Sequence, residues 1–102
     1  MATQLVARRP FYRADKTGWQ CALTLQAQAQ WKHEPVKHPR MRIQFFARDR
    51  RRDRDNMLTT VLDCLREAGV IVNDNIAQAD GTLVLLPAVI DQNERVTIEV
   101  TV

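Results

Sequence analysis

The fold is decided by residues 40–69, which read RMRIQFFARDRRRDRDNMLTTVLDCLREAG. At the start of this stretch, apolar and polar side chains alternate, which predicts a strand over residues 40–47. Over residues 55–68, apolar side chains recur at intervals of three and four positions and predict an amphipathic helix. Gly69 is a natural stop for that helix. The stretch therefore predicts a strand, a highly charged connection and a helix.

The N-terminal part of the chain is harder to interpret. Thr17 and Gln20 have the spacing of a capping box, with Thr17 as the N-cap. Residues 21–31 then alternate like a strand, but they are rich in the helix-forming residues Ala, Leu and Gln. Capping signal and composition agree, so we predict a helix there. Residues 1–16 show no clear period and are interpreted as a strand or an extended arm.

The C-terminal part predicts short strands. Residues 70–72 are a short buried strand directly after the helix. Residues 83–89 are apolar and interrupted by Pro87, which favours an edge position or a strand end. Residues 96–102 alternate, and the polar residues 91–94 are interpreted as the turn of a hairpin between the two segments. This order of elements predicts a small α/β or α+β fold.

Composition narrows the class of protein. The chain has 102 residues, which fits a single domain over 1–102, and 45% are hydrophobic, enough for a core. It contains no serine, only three glycines and two distant cysteines, so a serine nucleophile, a glycine-rich phosphate loop and a CxxC pair are excluded. No signal peptide or membrane-spanning run is recognised, so we expect a cytoplasmic protein with no membrane partner and no small-molecule cofactor.

The positive charge is concentrated in one segment. Residues 40–55 hold seven arginines and three aspartates, a net charge of +4 in a chain whose total is +3. Local excess of this kind favours binding of a polyanion such as nucleic acid. A solvated charged loop is the alternative. The arginines that we expect to contact phosphates are Arg48, Arg50, Arg51, Arg52 and Arg54.

Carboxylates inside this basic segment suggest metal chemistry. Asp53 and Asp55 lie two residues apart at the predicted start of the helix, and Asp74 follows the strand predicted at 70–72. Mg²⁺ prefers oxygen ligands, and two or three carboxylates beside a substrate phosphate suit it. The alternative is structural, since Asp53 or Asp55 can serve as an N-cap and Asp74 as a turn residue.

Three neighbours are candidates for supporting roles. Asn56 can supply an amide oxygen or fix an aspartate. Thr59 and Asp63 follow Asp55 at four-residue steps, which places them on roughly the same helix face. Asp63 is either a supporting group behind the metal ligands or, as we prefer, a solvent-facing acid. His33 and His38 lack a cluster of ligands at zinc spacing.

These residues resemble a known family. The string DRRRDRDN at 49–56, then Leu62-Asp63, then EAGVIVND at 67–74, resembles the RusA-type Holliday junction resolvases of phages and prophages. That family is marked by a D-x-D-N pair opening a helix, an Ala-Gly helix end, a short strand and an acidic pair. The resemblance covers about residues 40–76 well and the final strand plausibly. It is poor before residue 40.

The resemblance implies a specific activity. Family members are Mg²⁺-dependent endonucleases that act as homodimers and nick four-way DNA junctions symmetrically. Their fold is a small mixed β-sheet packed with two helices. Asp53, Asp55 and Asp74 fall on the three essential acidic positions and would hold Mg²⁺. The five arginines named above would contact the backbone of branched DNA.

Two departures leave an alternative open. The family has a lysine four residues after the second aspartate of the pair, where this chain has Thr59, although Arg52, Arg54 or Lys37 are candidates to replace its charge. The acidic pair is Asn73-Asp74 here, with one charge fewer. A RusA-fold protein that binds branched DNA with weak or lost cleavage is therefore the second hypothesis. A third is an unrelated RNA- or protein-binding domain with a basic loop.

Overall fold

Five strands and two helices make up the described parts of the chain, which in this computed structural model are residues 2–8, 16–48, 54–72 and 83–101. For residues 16–19, 21 and 54–56 the description covers the backbone alone. The elements, in chain order, are β1 (Ala2–Arg8), α1 (Lys16–Gln30), β2 (Arg40–Ala47), α2 (Arg54–Glu67), β3 (Leu83–Leu85), β4 (Val89–Ile90) and β5 (Arg95–Thr101).

The strands form one mixed sheet in the order β1-β5-β2-β3, with β4 also paired to β2. β5 lies between β1 and β2 and is antiparallel to both, so that Ile98 pairs with Leu5 on one side and Ile43 on the other. β3 and β4 run parallel to β2, where Met41 pairs with Leu83 and Phe46 with Val89. A mixed sheet with two helices confirms the predicted α+β class.

The predicted hairpin between residues 83–89 and 96–102 is wrong. β5 pairs with β1 and β2, whereas β3 and β4 lie on the opposite side of β2. The turn at 91–94 therefore crosses the end of β2 instead of joining two neighbouring strands. Alternation predicted β5 correctly as a strand, but its period of two shows only which face is buried and says nothing about which strand is the partner.

The ambiguous N-terminal segment is a helix, as predicted. Leu23, Ala27 and Trp31 follow one another at four-residue steps and are buried, while Leu25 is 65% exposed. The core-facing stripe is thus helical, and the alternation in the sequence does not reflect burial. α1 begins at Lys16, which places Thr17 inside the helix and not at the N-cap position predicted for it.

Strand β1 lies at the edge of the sheet, in the N-terminal region that the sequence left open between a strand and an extended arm. Two glutamines of α1 cover the side of β1 that has no neighbouring strand. Gln30 accepts from the Val6 N–H (2.9 Å) and donates to the Val6 carbonyl (2.8 Å). Gln26 makes the same pair of bonds with Arg8, at 2.7 and 3.0 Å. The two side-chain amides therefore take the place of a neighbouring strand along this part of the edge.

Helix α2 agrees with its prediction to within one residue at each end. Its inner face, including Val61 and Leu65, is fully buried, and Cys64 is buried there with its thiol directed at the Gln20 carbonyl (3.5 Å). Gly69 ends the helix in a left-handed conformation, with φ of 80°. Glycine reaches this region without the steric cost that a side chain brings.

The strand predicted at 70–72 is reduced to an isolated parallel bridge. Val36 donates its N–H to the Val70 carbonyl (2.9 Å) and accepts from the Val72 N–H (3.1 Å). Val70 and Ile71 are buried, as predicted. Within the described ranges, no helix is long and apolar enough to cross a bilayer.

Candidate nucleic-acid interface and metal site

The charged segment connects two well-defined elements. β2 ends at Ala47, and α2 begins at Arg54. The backbone of Asp55 and Asn56 lies in the first turn of α2, where unpaired N–H groups and the helix dipole favour negative charge. Phosphate or carboxylate oxygens are therefore stabilised at this end of the helix.

Five of the eleven predicted site residues lie outside the described residues. These are Asp53, Asp74, Arg50, Arg51 and Arg52. For Arg54, Asp55 and Asn56 the backbone places the residues at the start of α2, and their side chains are not described. The convergence of the three aspartates on one metal ion thus stays a prediction.

Arg48 is the predicted phosphate contact whose side chain is described. Its Nε donates to the Gln92 carbonyl (3.4 Å) and lies 3.7 Å from Oε1 of Glu94. The Arg48 side chain is 67% exposed, whereas that of Glu94 is only 14% exposed. A largely enclosed carboxylate therefore pairs with an exposed arginine at the start of the charged segment.

The turn at 91–94 is fastened to the end of β2 by a further cation. The Arg95 guanidinium lies 3.7 Å from the centre of the Phe46 ring. Its Nη1 also donates to Oδ2 of Asp91 (3.1 Å) and to the Asn93 carbonyl (2.9 Å). The Asp91 N–H donates to the Ala47 carbonyl at 2.8 Å, which joins the turn to the last residue of β2.

Electrostatics favour the charged form of Asp91. The Asn93 N–H donates to Oδ1 (2.8 Å), and together with Arg95 it lowers the pKa of Asp91 below its usual value of 3.8. Sequence reasoning assigned 91–94 only as a turn and missed these contacts. The signal that was present is the spacing of Asp91 and Arg95, which are opposite charges around a tight turn.

The candidate supporting residues lie on successive turns of α2. Thr59 is exposed, and Asp63, one turn further along the helix, is half-buried. Asp63 is therefore more enclosed than the solvent-facing acid that we preferred. The helical spacing still places it on the face of Thr59.

Lys37 lies beside the segment that leads to Asp74. Because Val36 pairs with Ile71 in parallel register, Lys37 and Val72 are neighbours, and both are exposed. Asp74 comes two residues after Val72. A cation is thus placed beside Val72, the last described residue before the third predicted carboxylate.

His33 packs against an aromatic side chain. The rings of His33 and Trp31 meet edge to face, with centres 5.0 Å apart and planes at 73°. Within the described residues, no group of three or more His, Cys, Asp or Glu side chains is arranged to hold a metal ion. The side chains of the three predicted ligands, Asp53, Asp55 and Asp74, lie outside that described set.

Comparison with known proteins extends the resemblance to almost the whole chain. The sequence model of one family, Endodeoxyribonuclease RusA, matches residues 2–101. The match includes β1 and α1, for which the motifs alone gave poor resemblance. None of the curated proteins matches the chain. Since the family match spans all seven elements, the chain belongs to the RusA endodeoxyribonuclease family.

Proposed function

We propose that this protein is a Mg²⁺-dependent endonuclease that resolves four-way DNA junctions by symmetric nicking. The observation that carries the proposal is the family match over residues 2–101. The concentration of arginine between β2 and α2 supports the proposal. The end of β2 and the start of α2 anchor this basic segment at both of its ends.

The proposed metal ligands are Asp53, Asp55 and Asp74, whose carboxylate oxygens are the donors that Mg²⁺ prefers. From Asp55 to the end of α2 the helix rises about 18 Å. The five steps along the chain from Gly69 to Asp74 span about 17 Å when extended. The chain is thus long enough to bring Asp74 back to the level of Asp55, which is compatible with one shared site.

When bound, Mg²⁺ would polarise the scissile phosphate and lower the pKa of a coordinated water. The protein would supply the remaining functions. The arginines at 48, 50, 51, 52 and 54 would bind and orient the DNA backbone as bidentate phosphate ligands. Asn56, Thr59 and Asp63 would orient the carboxylates or a water from the adjoining face of α2.

We propose further that residues 1–102 form one domain and that the active form is a homodimer. A four-way junction has two-fold symmetry and two cut sites, which a two-fold protein matches with two identical sites. Sedimentation equilibrium is expected to give twice the chain mass. A cytoplasmic role in recombination or repair of phage or prophage DNA fits this activity.

A second candidate function is binding of branched DNA with weak or lost cleavage. The observation that favours it is the identity of residue 59, an exposed threonine on α2 where the family has a lysine. Threonine can donate a hydrogen bond but cannot neutralise charge that develops on a phosphate. Asn73 in place of an acid removes a further charge beside Asp74.

The test is incubation of the purified protein with a labelled four-way junction, with Mg²⁺ or with EDTA, beside linear duplex of the same sequence. Paired nicks that need Mg²⁺ and the junction are expected. Asp53→Asn should abolish nicking but leave junction binding intact, because it removes a metal ligand and no phosphate contact.

Asp49→Asn is the matched control, since it removes one carboxylate from the same segment and should retain nicking. Junction binding without nicks in the wild-type protein would favour the second candidate. Equal binding of junction and linear duplex would contradict both candidates.

A further inference from the structure

We propose that Glu94 is a positioning residue that orients Arg48 for contact with a DNA phosphate. The inference rests on the proposed function, since it assigns a role within the same DNA-binding surface. Glu94 belongs to the turn between β4 and β5, which is far in sequence from Arg48 and the charged segment.

Burial makes Glu94 suited to this role. Its side chain is 14% exposed and it immediately precedes β5, whose first residue, Arg95, stacks on Phe46. The backbone of Glu94 is therefore anchored next to the first residue of β5. Arg48, by contrast, is 67% exposed and is the first residue of the charged segment.

The described contacts of the Arg48 guanidinium are all on its Nε side. Both polar contacts that it makes with described residues use Nε, one to Gln92 and one to Glu94. The hydrogen bond to Gln92 and the attraction of the Glu94 carboxylate at 3.7 Å together restrain the guanidinium on its Nε side. The terminal nitrogens form the edge of the fork that best matches two oxygens of a phosphate.

Orientation of a long side chain has a direct effect on binding. An unrestrained arginine loses rotamer freedom when it contacts phosphate, and a side chain that is already held in place loses less. Glu94 therefore raises DNA affinity through Arg48 although it carries a negative charge. If Glu94 instead competed with phosphate for Arg48, Glu94 would lower the DNA affinity.

A double-mutant cycle tests the inference. Junction affinity is measured by fluorescence anisotropy in EDTA for the wild-type protein, Arg48→Ala, Glu94→Ala and the double variant. Arg48→Ala should weaken binding about three- to tenfold. It should also reduce the slope of log affinity against log salt by about one, because one phosphate contact is lost. Glu94→Ala should weaken binding about threefold, with no additional loss in the Arg48→Ala background.

Two further variants exclude a merely structural effect. Glu94→Gln keeps the size of the side chain but removes its charge, so it should weaken binding nearly as Glu94→Ala does, because the 3.7 Å contact is an ion pair. Glu67→Ala removes a carboxylate from an exposed ion pair at the other end of α2 and should leave the affinity unchanged. Melting curves of each variant show whether the fold is retained.

Each remaining outcome overturns the inference. Equal losses from Glu94→Ala in both backgrounds would assign Glu94 to the fold alone. Tighter binding by Glu94→Ala would show competition with phosphate. A wild-type protein that binds no branched DNA would overturn the proposed function as well, whereas binding without coupling would overturn only the role of Glu94.

Discussion

Asp91 and Arg95 lie at the two ends of a tight turn and form an ion pair. The Arg95 guanidinium also lies over the aromatic ring of Phe46. The pKa of Asp91 is lowered by its hydrogen bonds with the Asn93 N–H and with Arg95. A carboxyl with a depressed pKa in the folded state stabilises the fold above its unfolded pKa of 3.8. That stabilisation is lost as the pH falls through the lower, folded value.

We therefore expect Asp91→Asn to lower the melting temperature at neutral pH, where the wild-type carboxylate is charged. The difference between variant and wild type should shrink as the pH falls below about 4 and vanish below the folded pKa. Thermal melts across this range measure it. A difference that stays constant down to the lowest pH would show that the charge of Asp91 does not contribute.

Thr59 stands at the position where the family resemblance predicts a lysine. If a missing cation limits the rate, Thr59→Lys should raise junction cleavage, by about tenfold if it restores one charge contact to the phosphate. Junction affinity should change little. Single-turnover cleavage beside anisotropy separates the two effects, and Thr59→Gln, which is similar in length but neutral, is the matched control.

An unchanged rate in Thr59→Lys would show that another cation already fills this role. Lys37 is the described candidate, because the Val36 bridge places it beside Val72 and the chain leading to Asp74. Loss of cleavage in Lys37→Ala, with retained binding, would then identify it.

At the scale of elements, the first helix does more than pack on the sheet. Val6 and Arg8 direct their backbone groups away from β5, because alternate residues of an antiparallel strand face one neighbour. Gln26 and Gln30 satisfy those groups. An exposed strand edge is a site for pairing with other chains, and the glutamines close part of it.

Gln26→Ala and Gln30→Ala should each lower the free energy of unfolding by about 1–2 kcal/mol, because each removes two backbone contacts. Urea denaturation measures this loss. Gln28→Ala is the matched control: Gln28 lies on the exposed part of the same helix, so its loss should cost less than about 0.5 kcal/mol. The double variant at 26 and 30 should also self-associate on its opened edge, which light scattering detects.

This pair explains why the pattern in α1 was difficult to interpret. The alternating glutamines of residues 26–30 look like the polar face of a strand. In the structure, Gln26 and Gln30 are one helical turn apart and serve β1, while Ala27 packs in the core. Composition was the better guide because helix propensity is local, whereas the use of these side chains depends on a strand elsewhere in the chain.

At the scale of the whole molecule, β2 connects the core to the proposed DNA surface. Met41, Ile43 and Phe45 are buried. β2 is paired with β5 along residues 40–46, and on its other side with β3 at residues 41–43 and β4 at residues 46–47. Its final residue is held by the Asp91 N–H. The charged segment therefore starts from one of the most firmly fixed points of the fold, which suits residues that must meet phosphates in a defined geometry.

Junction binding should fall steeply with salt, because phosphate contacts release counterions. Arg50→Gln combined with Arg51→Gln should reduce the slope of log affinity against log salt by about two. Arg66→Gln, at the far end of α2, removes the same kind of charge and should leave the slope unchanged. Anisotropy titrations at several salt concentrations test this, and equal slopes in all variants would contradict a role for these arginines.

The sequence alone determined the elements whose signals are local. Apolar spacing predicted α2 and its stop at Gly69, alternation predicted β2 and β5, and the acidic motif indicated the family. Only the tertiary structure decided that β5 lies between β1 and β2, that glutamines close the edge of β1, and that Glu94 holds Arg48. These features depend on partners distant in sequence, and neither period nor propensity carries information about such partners.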